Sequence, residues 1–378
     1  MLACKKAYIW LVFIILLLPV LVMRAHSQNR VGVSEGLVHP TKDNIPEVTD
    51  SKRILRASPR MTFMDQVEYD SITVGVNEGM QDEMFGYIVD ARMDQRMGIA
   101  VLDAEYSEVR VYDYRGKLIG KFGAKGKGPG EFLHPRQLAI TNAGRTVFVL
   151  TAERRVSVFE RYDSTEFRLK STIATEVGGV AGCAMNGHLY LLAYSPEQEG
   201  IIHKFSPEGE HITSFGAPYI SPNPFMVESQ SRRGLLACSE EYRLVGLIRE
   251  NIPALTAYTD TGDIAWQVRF ADFESYRVVE TIGSSGAPSV TYQVPQPGQS
   301  RFEHMFTDSS GDFYVQYYTA VRTGRAPLHL FKIDAETGVG RYFGTARPIA
   351  DLESPHLLSV RHGPFPHLVI YRRRGLPK

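Results

Sequence analysis

The sequence predicts an all-β fold: a single six-bladed β-propeller of four-stranded blades, its ring closed by an N-terminal strand in the last blade. Three observations carry that prediction. A Phe-Gly pair ending a run of strands recurs at Phe122-Gly123, Phe215-Gly216 and Phe343-Gly344. Two units per interval, with one insertion set aside, give about 47 to 49 residues each, the size of a four-stranded blade. Evenly spaced strand patterns with frequent turn signals fill the body, and no long amphipathic helix interrupts them. Finally, the strand pattern Val67 to Val74 has no blade of its own, while the sixth unit lacks one strand before the chain stops. Pairing the two removes an open edge.

At 378 residues and 43% hydrophobic, the chain can bury a large core. Its 42 basic and 42 acidic residues leave no net charge, which lacks the basic footprint of a nucleic-acid binder. Lys5 and Lys6 precede an apolar run from Ala7 to Met23, and Ala25-His26-Ser27 is a small-x-small site. Residues 1–27 therefore read as a signal peptide or membrane anchor, which places the body outside the cytoplasm, periplasmic or secreted. Contact with a membrane is expected only through this segment. Residues 28–60 are polar and proline-containing, a linker or extended arm. The propeller is expected over residues 61–374.

The first blade reads as Tyr87 to Ala91, Gly98 to Leu102, Val109 to Tyr112 and Leu118 to Phe122. Asp113 to Lys117 form the turn between its last two strands. Gln137 to Ile140 opens the second blade and Val180 to Met185 the third, whose Asn186-Gly187 is a strong hairpin signal. Leu235 to Cys238 opens the fourth. After a long insertion, Glu303 to Thr307 opens the fifth, and Leu357 to Val360 with His367 to Tyr371 belong to the sixth. Between the first two blades, Gly123, Gly126, Gly128 and Gly130 around Pro129 are expected to supply left-handed backbone. Cys183 and Cys238 lie on innermost strands of adjacent blades, as small buried side chains or as a bridge.

The Gly-x-x-Gly-x-Gly-Pro-Gly-x-Phe pattern of Gly123 to Phe132, preceded by Val111-Tyr112-Asp113 and Gly116-Lys117, resembles NHL-repeat proteins. More broadly the chain resembles the exported bacterial six-bladed propellers of the TolB-like superfamily. The resemblance implies a ring with a central channel. It does not fix one activity, since such relatives include binding platforms, lyases and esterase-like enzymes.

Lys125 and Lys127 among glycines imitate a phosphate cradle, but a β segment follows where a helix N-terminus is required. No Gly-x-Ser-x-Gly elbow occurs, and no histidine pair has metal-site spacing. The loops between blades are long and share one face with the loops joining second and third strands. Lys125, Lys127, His134, Arg136, Arg154 and Arg322 fall there, alongside Tyr194, Tyr219, Phe225, Tyr276 and Tyr292. That mixture suits a protein, peptide, carbohydrate or small-molecule ligand. The expected function is an exported binding or scaffold propeller without catalysis or cofactor. The alternative is a metal-dependent lyase or hydrolase with a calcium or zinc ion in the central channel.

Overall fold

In the computed structural model, which describes residues 37–58, 68–141, 143–175, 181–282, 288–296, 298–319 and 326–374, six sheets radiate from a common axis. Blade 1 comprises Ile88–Asp94, Gly98–Asp103, Glu108–Tyr112 and Leu118–Phe122. Blade 2 is Pro135–Thr141, Thr146–Thr151, Arg155–Arg161 and Phe167–Ala174. Blade 3 is Ala181–Met185, His188–Leu192, Ile202–Phe205 and His211–Phe215. Blade 4 is Gly234–Ser239, Leu244–Arg249, Ala254–Thr259 and Ile264–Phe270, and blade 5 is Arg301–Thr307, Phe313–Tyr318, Leu328–Ile333 and Gly340–Ala346. Blade 6 contains Asp351–Glu353, His356–Arg361 and His367–Arg373. Its outer strand is Tyr69–Val74, antiparallel to His367–Arg373 with Val74 opposite Leu368.

Two compact units are present. The blades belong to the larger one, Pro40–Tyr276 with Val294–Lys378. The smaller includes Leu37–His39, Arg277–Ile282 and Pro288–Gln293, which form one sheet in that order, and the buried His39 meets Glu280 at 2.6 Å. The sequence reads this hairpin only as part of the long insertion.

Strand composition follows position in the blade. Gly98–Asp103 and Thr146–Thr151 are buried at every residue, because neighbouring blades cover both faces of each sheet. The outer strand Phe167–Ala174 instead alternates, its buried residues at Phe167 and Ile173. Blades 1 to 5 each shift register between their third and fourth strands, for example at Val111/Tyr112, Val158/Phe159 and Leu330/Phe331. One extra residue there increases the local twist, as blades stacked around an axis require. The adjoining turns are as the sequence predicts: Asp113 accepts from the Arg115 and Lys117 amides at 2.9 and 2.8 Å, and Gly116 has φ 79°.

Side chains of one blade also satisfy the backbone of the next. Asp90 accepts from Leu138 N at 2.8 Å, and Gln137 accepts from Gly182 N at 2.8 Å. Thr307 Oγ1 donates to Cys238 O at 2.9 Å, and Asp351 accepts from Met93 N at 2.7 Å across the junction of blades 6 and 1. Each bond spares an inner strand a buried orphan group. The two body cysteines are joined: Cys183 and Cys238 form a disulfide with a Cα separation of 5.5 Å, stapling the inner strands of blades 3 and 4.

Part of the arm over residues 28–60 docks on the propeller. Ile54–Leu55 pairs in parallel with Ile264–Phe270 as a fifth strand of blade 4, and Leu55 is buried. Asn44 clamps Ile220 with both amide atoms, at 2.7 and 2.9 Å, as a neighbouring strand would.

The glycine loop is only partly as expected. Gly123 and Gly130 have φ of 88° and 76°, Gly126 at 159° is nearly extended, and Gly128 is outside the left-handed region. The loop is pinned instead by a short parallel ladder of Ala124–Lys125 with Glu131–Phe132, and by Glu131 accepting from Gly128 N at 2.8 Å.

Two stability predictions follow from these contacts. A Cβ on Gly123 would lie 2.4 Å from the Phe132 ring, so Gly123→Ala should cost about 2–4 kcal/mol. At Gly128 the added atom meets only the end of the Glu131 side chain at 3.0 Å, which can shift by a few tenths of an ångström, so Gly128→Ala should cost less than about 1 kcal/mol. Equal urea midpoints for the two variants would refute this assignment. Loop closure over the 55-residue separation gives the disulfide about 4 kcal/mol in the chain-entropy model. The Cys183→Ser/Cys238→Ser double variant should therefore unfold at clearly lower denaturant, and an unchanged midpoint would contradict a stabilising staple.

Candidate functional site

The inner strands run from a broad cleft into a narrow channel. The cleft, about 1020 Å³, is lined at the first residues of these strands by Arg136, Leu235, Arg301 and Phe302. The loops between second and third strands add Ala152, Arg154, Tyr194, Glu197 and Glu250. This is the face expected from loop length. Further along the same strands, Leu138, Gly182, Cys183, Leu236, Cys238 and Thr307 border a channel space of about 100 Å³.

A short helix walls the cleft. Ser221-Pro222-Asn223-Pro224 starts it: Asn223 accepts from Phe225 N at 3.0 Å and Pro224 supplies the first turn of the helix Pro224–Ser231. Ser231 Oγ accepts from Tyr219 N at 2.7 Å and fastens the helix to its own loop. Arg232 and Arg233 follow directly, and with Glu228 they line the cleft.

Of the site residues named from the sequence, Arg136 and Arg154 enter this cleft. Lys127 instead borders a separate space of about 240 Å³ with Glu131, Glu153 and Arg155, and its carbonyl accepts from Arg155 Nη1 at 3.0 Å. Lys125 is exposed on its short strand, lining neither space. His134 Nδ1 pairs with Glu153 at 2.5 Å, outside the cleft lining. Arg322 lies outside the described residues, as does Arg325. Tyr219 and Tyr276, expected on the binding face, are buried, whereas Phe225 is 59% exposed. The sequence reading missed Arg232, Arg233 and Arg301. The Asn-Pro helix start was the signal that could have placed the first two.

Among the described residues, the cleft lining holds five arginines and three glutamates, with no lysine or aspartate. Arg232 pairs with Glu228 at 3.3 Å and Arg233 with Glu250 at 3.6 Å, all four side chains about half exposed. Arg301 pairs with Glu303 at 2.7 Å. Arg154 sits at φ 57°, but Ser107 holds φ 53° at the same turn of blade 1, so that conformation belongs to the blade and not to a ligand.

In the channel the charged groups are committed to structure. Asp90 takes Arg92 at 3.2 Å together with the amides of Ala91 and Leu138, and Asp351 takes those of Met93 and Leu352. Burial works against the Arg92 charge, but Asp90 and Asp351 hold its guanidinium above the usual value. Among the described residues no group of three or more His, Cys, Asp or Glu side chains is placed to hold a metal ion.

Burial pushes the Asp351 carboxyl up to about 6, against the pull of Arg92 and its two amide donors. Between pH 4 and 6 the folded state holds a proton that the unfolded state has released, so stability must fall as pH rises through that window. From an ordinary value of 3.8 the drop amounts to about 3 kcal/mol. Urea unfolding from pH 4 to 7 should show this decline in the native protein and a flatter profile in Asp351→Asn. Parallel profiles would contradict it.

The comparisons with known proteins agree with this architecture. A family model described as a six-bladed β-propeller, DUF5128, matches residues 82–204, from the approach to blade 1 into the third strand of blade 3. A candidate exported protein of Bacteroides fragilis is similar in structure at TM-score 0.53, with 9% identity over 85% of this chain and 99% of its own. A duf4221 family member from Bacteroides vulgatus gives 0.53 at 8% identity, over 82% and 98%. The WD40 repeats of RRP9 give 0.51 at 10%, over 81% and 98%. At such identities the likeness is one of fold. No curated protein matches the sequence. Among the described residues, no helix is long and apolar enough to cross a membrane, and residues 1–27 fall outside them.

Proposed function

We propose that this chain is an exported, non-catalytic β-propeller that recognises a partner on the face built by its inter-blade loops, with the arginine-lined cleft as the recognition site. The observation that carries the reading is the cleft itself: about 1020 Å³, open, bordered by blades 2 to 5 and richer in cations than in anions. A ligand-sized concavity with a few convergent charged groups is the default place for recognition. The channel supports the same reading, because the oxygens of Asp90 and Asp351 are already engaged by backbone amides. Export is supported by the Cys183–Cys238 bridge, since such bonds persist in oxidising compartments, and by the apolar N-terminal segment of the sequence.

A pull-down from cell-envelope extract tests the reading. The native protein and an Arg136→Glu/Arg154→Glu variant are compared as baits after their unfolding curves are shown to coincide. Species retained by the native bait and lost by the variant are expected. Identical recovery by both would place the recognition surface elsewhere.

A further inference from the structure

We infer that the cleft's ligand is an acidic peptide segment of a protein partner, rich in Asp and Glu and carrying an apolar residue. The inference rests on the cleft being the recognition site and adds the chemistry of its occupant. Among the described residues, the five cations lining it are all arginines, drawn from blade 2 (Arg136, Arg154), the segment before blade 4 (Arg232, Arg233) and blade 5 (Arg301). A guanidinium fork matches a planar carboxylate with two parallel hydrogen bonds, which a lysine ammonium cannot do. Arg136 is exposed and has no hydrogen-bond or ion-pair partner among the described residues.

Two internal pairs of the cleft are easily exchanged. Glu228 and Glu250 hold Arg232 and Arg233 at 3.3 and 3.6 Å with all four groups half in solvent, and pairs of that kind contribute little to stability. Carboxylates of an incoming chain can replace them at small cost. The helix Pro224–Ser231 supplies the apolar part. Phe225, Glu228 and Arg232 follow one another at i, i+3 and i+7, on one face, so the exposed Phe225 stands in line with residues that enter the cleft. Ile220, 54% exposed, lies in the same loop.

An acidic polysaccharide offers carboxylates too, but exposed aromatic faces, on which sugar rings commonly stack, are scarce here. Among the described residues the cleft lining has two aromatic residues, Tyr194 and Phe302, and Phe302 is buried with its ring stacked on Phe273 at 4.3 Å. The lining therefore favours a peptide.

The test uses the propeller with its arm and fluorescently labelled twelve-residue peptides: one of Asp and Glu with a single central Leu, and its Asn and Gln counterpart. Hexagalacturonate and maltohexaose serve as carbohydrate probes. The acidic peptide should bind at low salt, weaken as salt is raised, and lose at least ten-fold in affinity with Arg136→Glu/Arg301→Glu. The neutral peptide should fail to bind. Arg145→Glu is the control, because Arg145 belongs to a different basic cluster with Arg96 and Arg161. An equal loss in that control would show non-specific charge attraction and overturn the inference. Arginine-dependent binding of hexagalacturonate without binding of the acidic peptide would overturn the peptide assignment and leave the cleft as the recognition site. If neither charged probe binds while the envelope pull-down still depends on Arg136 and Arg154, the acidic-segment assignment alone falls.

Discussion

The junction between the two ends of the chain is the constraint on which the rest of the structure depends. Tyr69–Val74 covers the outer edge of blade 6 by pairing with His367–Arg373, and at the inner end of the same junction Asp351 receives the Met93 amide. Between them lies one apolar cluster that joins Val74, Phe85, Ile88, Ala91 and Ile99 from the early chain with Leu358, Leu368 and Ile370 from the late chain. Removing either strand exposes both that cluster and a row of unpaired backbone groups. We read this pairing as the closure of the ring.

The cleft is built across blades 2 to 5. Its arginines come from segments far apart in sequence, so their spacing is set by how each blade seats on the next. The bonds from Asp90 to blade 2 and from Gln137 to blade 3, and the bridge between Cys183 and Cys238, lie directly beneath the cleft floor. On the outside, the Asn44 clamp on Ile220 braces the loop from which the helix Pro224–Ser231 departs. The face that varies in loop length therefore stands on a part of the molecule that is cross-linked three ways.

The architecture was legible because blade strands obey local rules. Largely apolar runs such as Thr146–Thr151, and Asp-x-x-Gly or Asn-Gly turns such as Asp113 to Gly116, announce themselves without tertiary context. The candidate site was legible only where it coincides with loop length, at Arg136, Arg154 and Tyr194. Arg301 opens a strand, and nothing local distinguishes it from any other exposed strand charge until the ring brings blade 5 opposite blade 2. Lys125 and Lys127 stood out for their glycine neighbours, yet the short ladder of their loop turns them to a different part of the surface.

Native-state hydrogen exchange, read peptide by peptide, tests the closure most directly. If the ring is closed as described, amides of Tyr69–Val74 and of His367–Arg373 exchange only through the opening that unfolds the whole propeller, with the same protection and the same dependence on denaturant. Exchange of Tyr69–Val74 at the rate of an unstructured chain, while His367–Arg373 stays protected, would contradict the account.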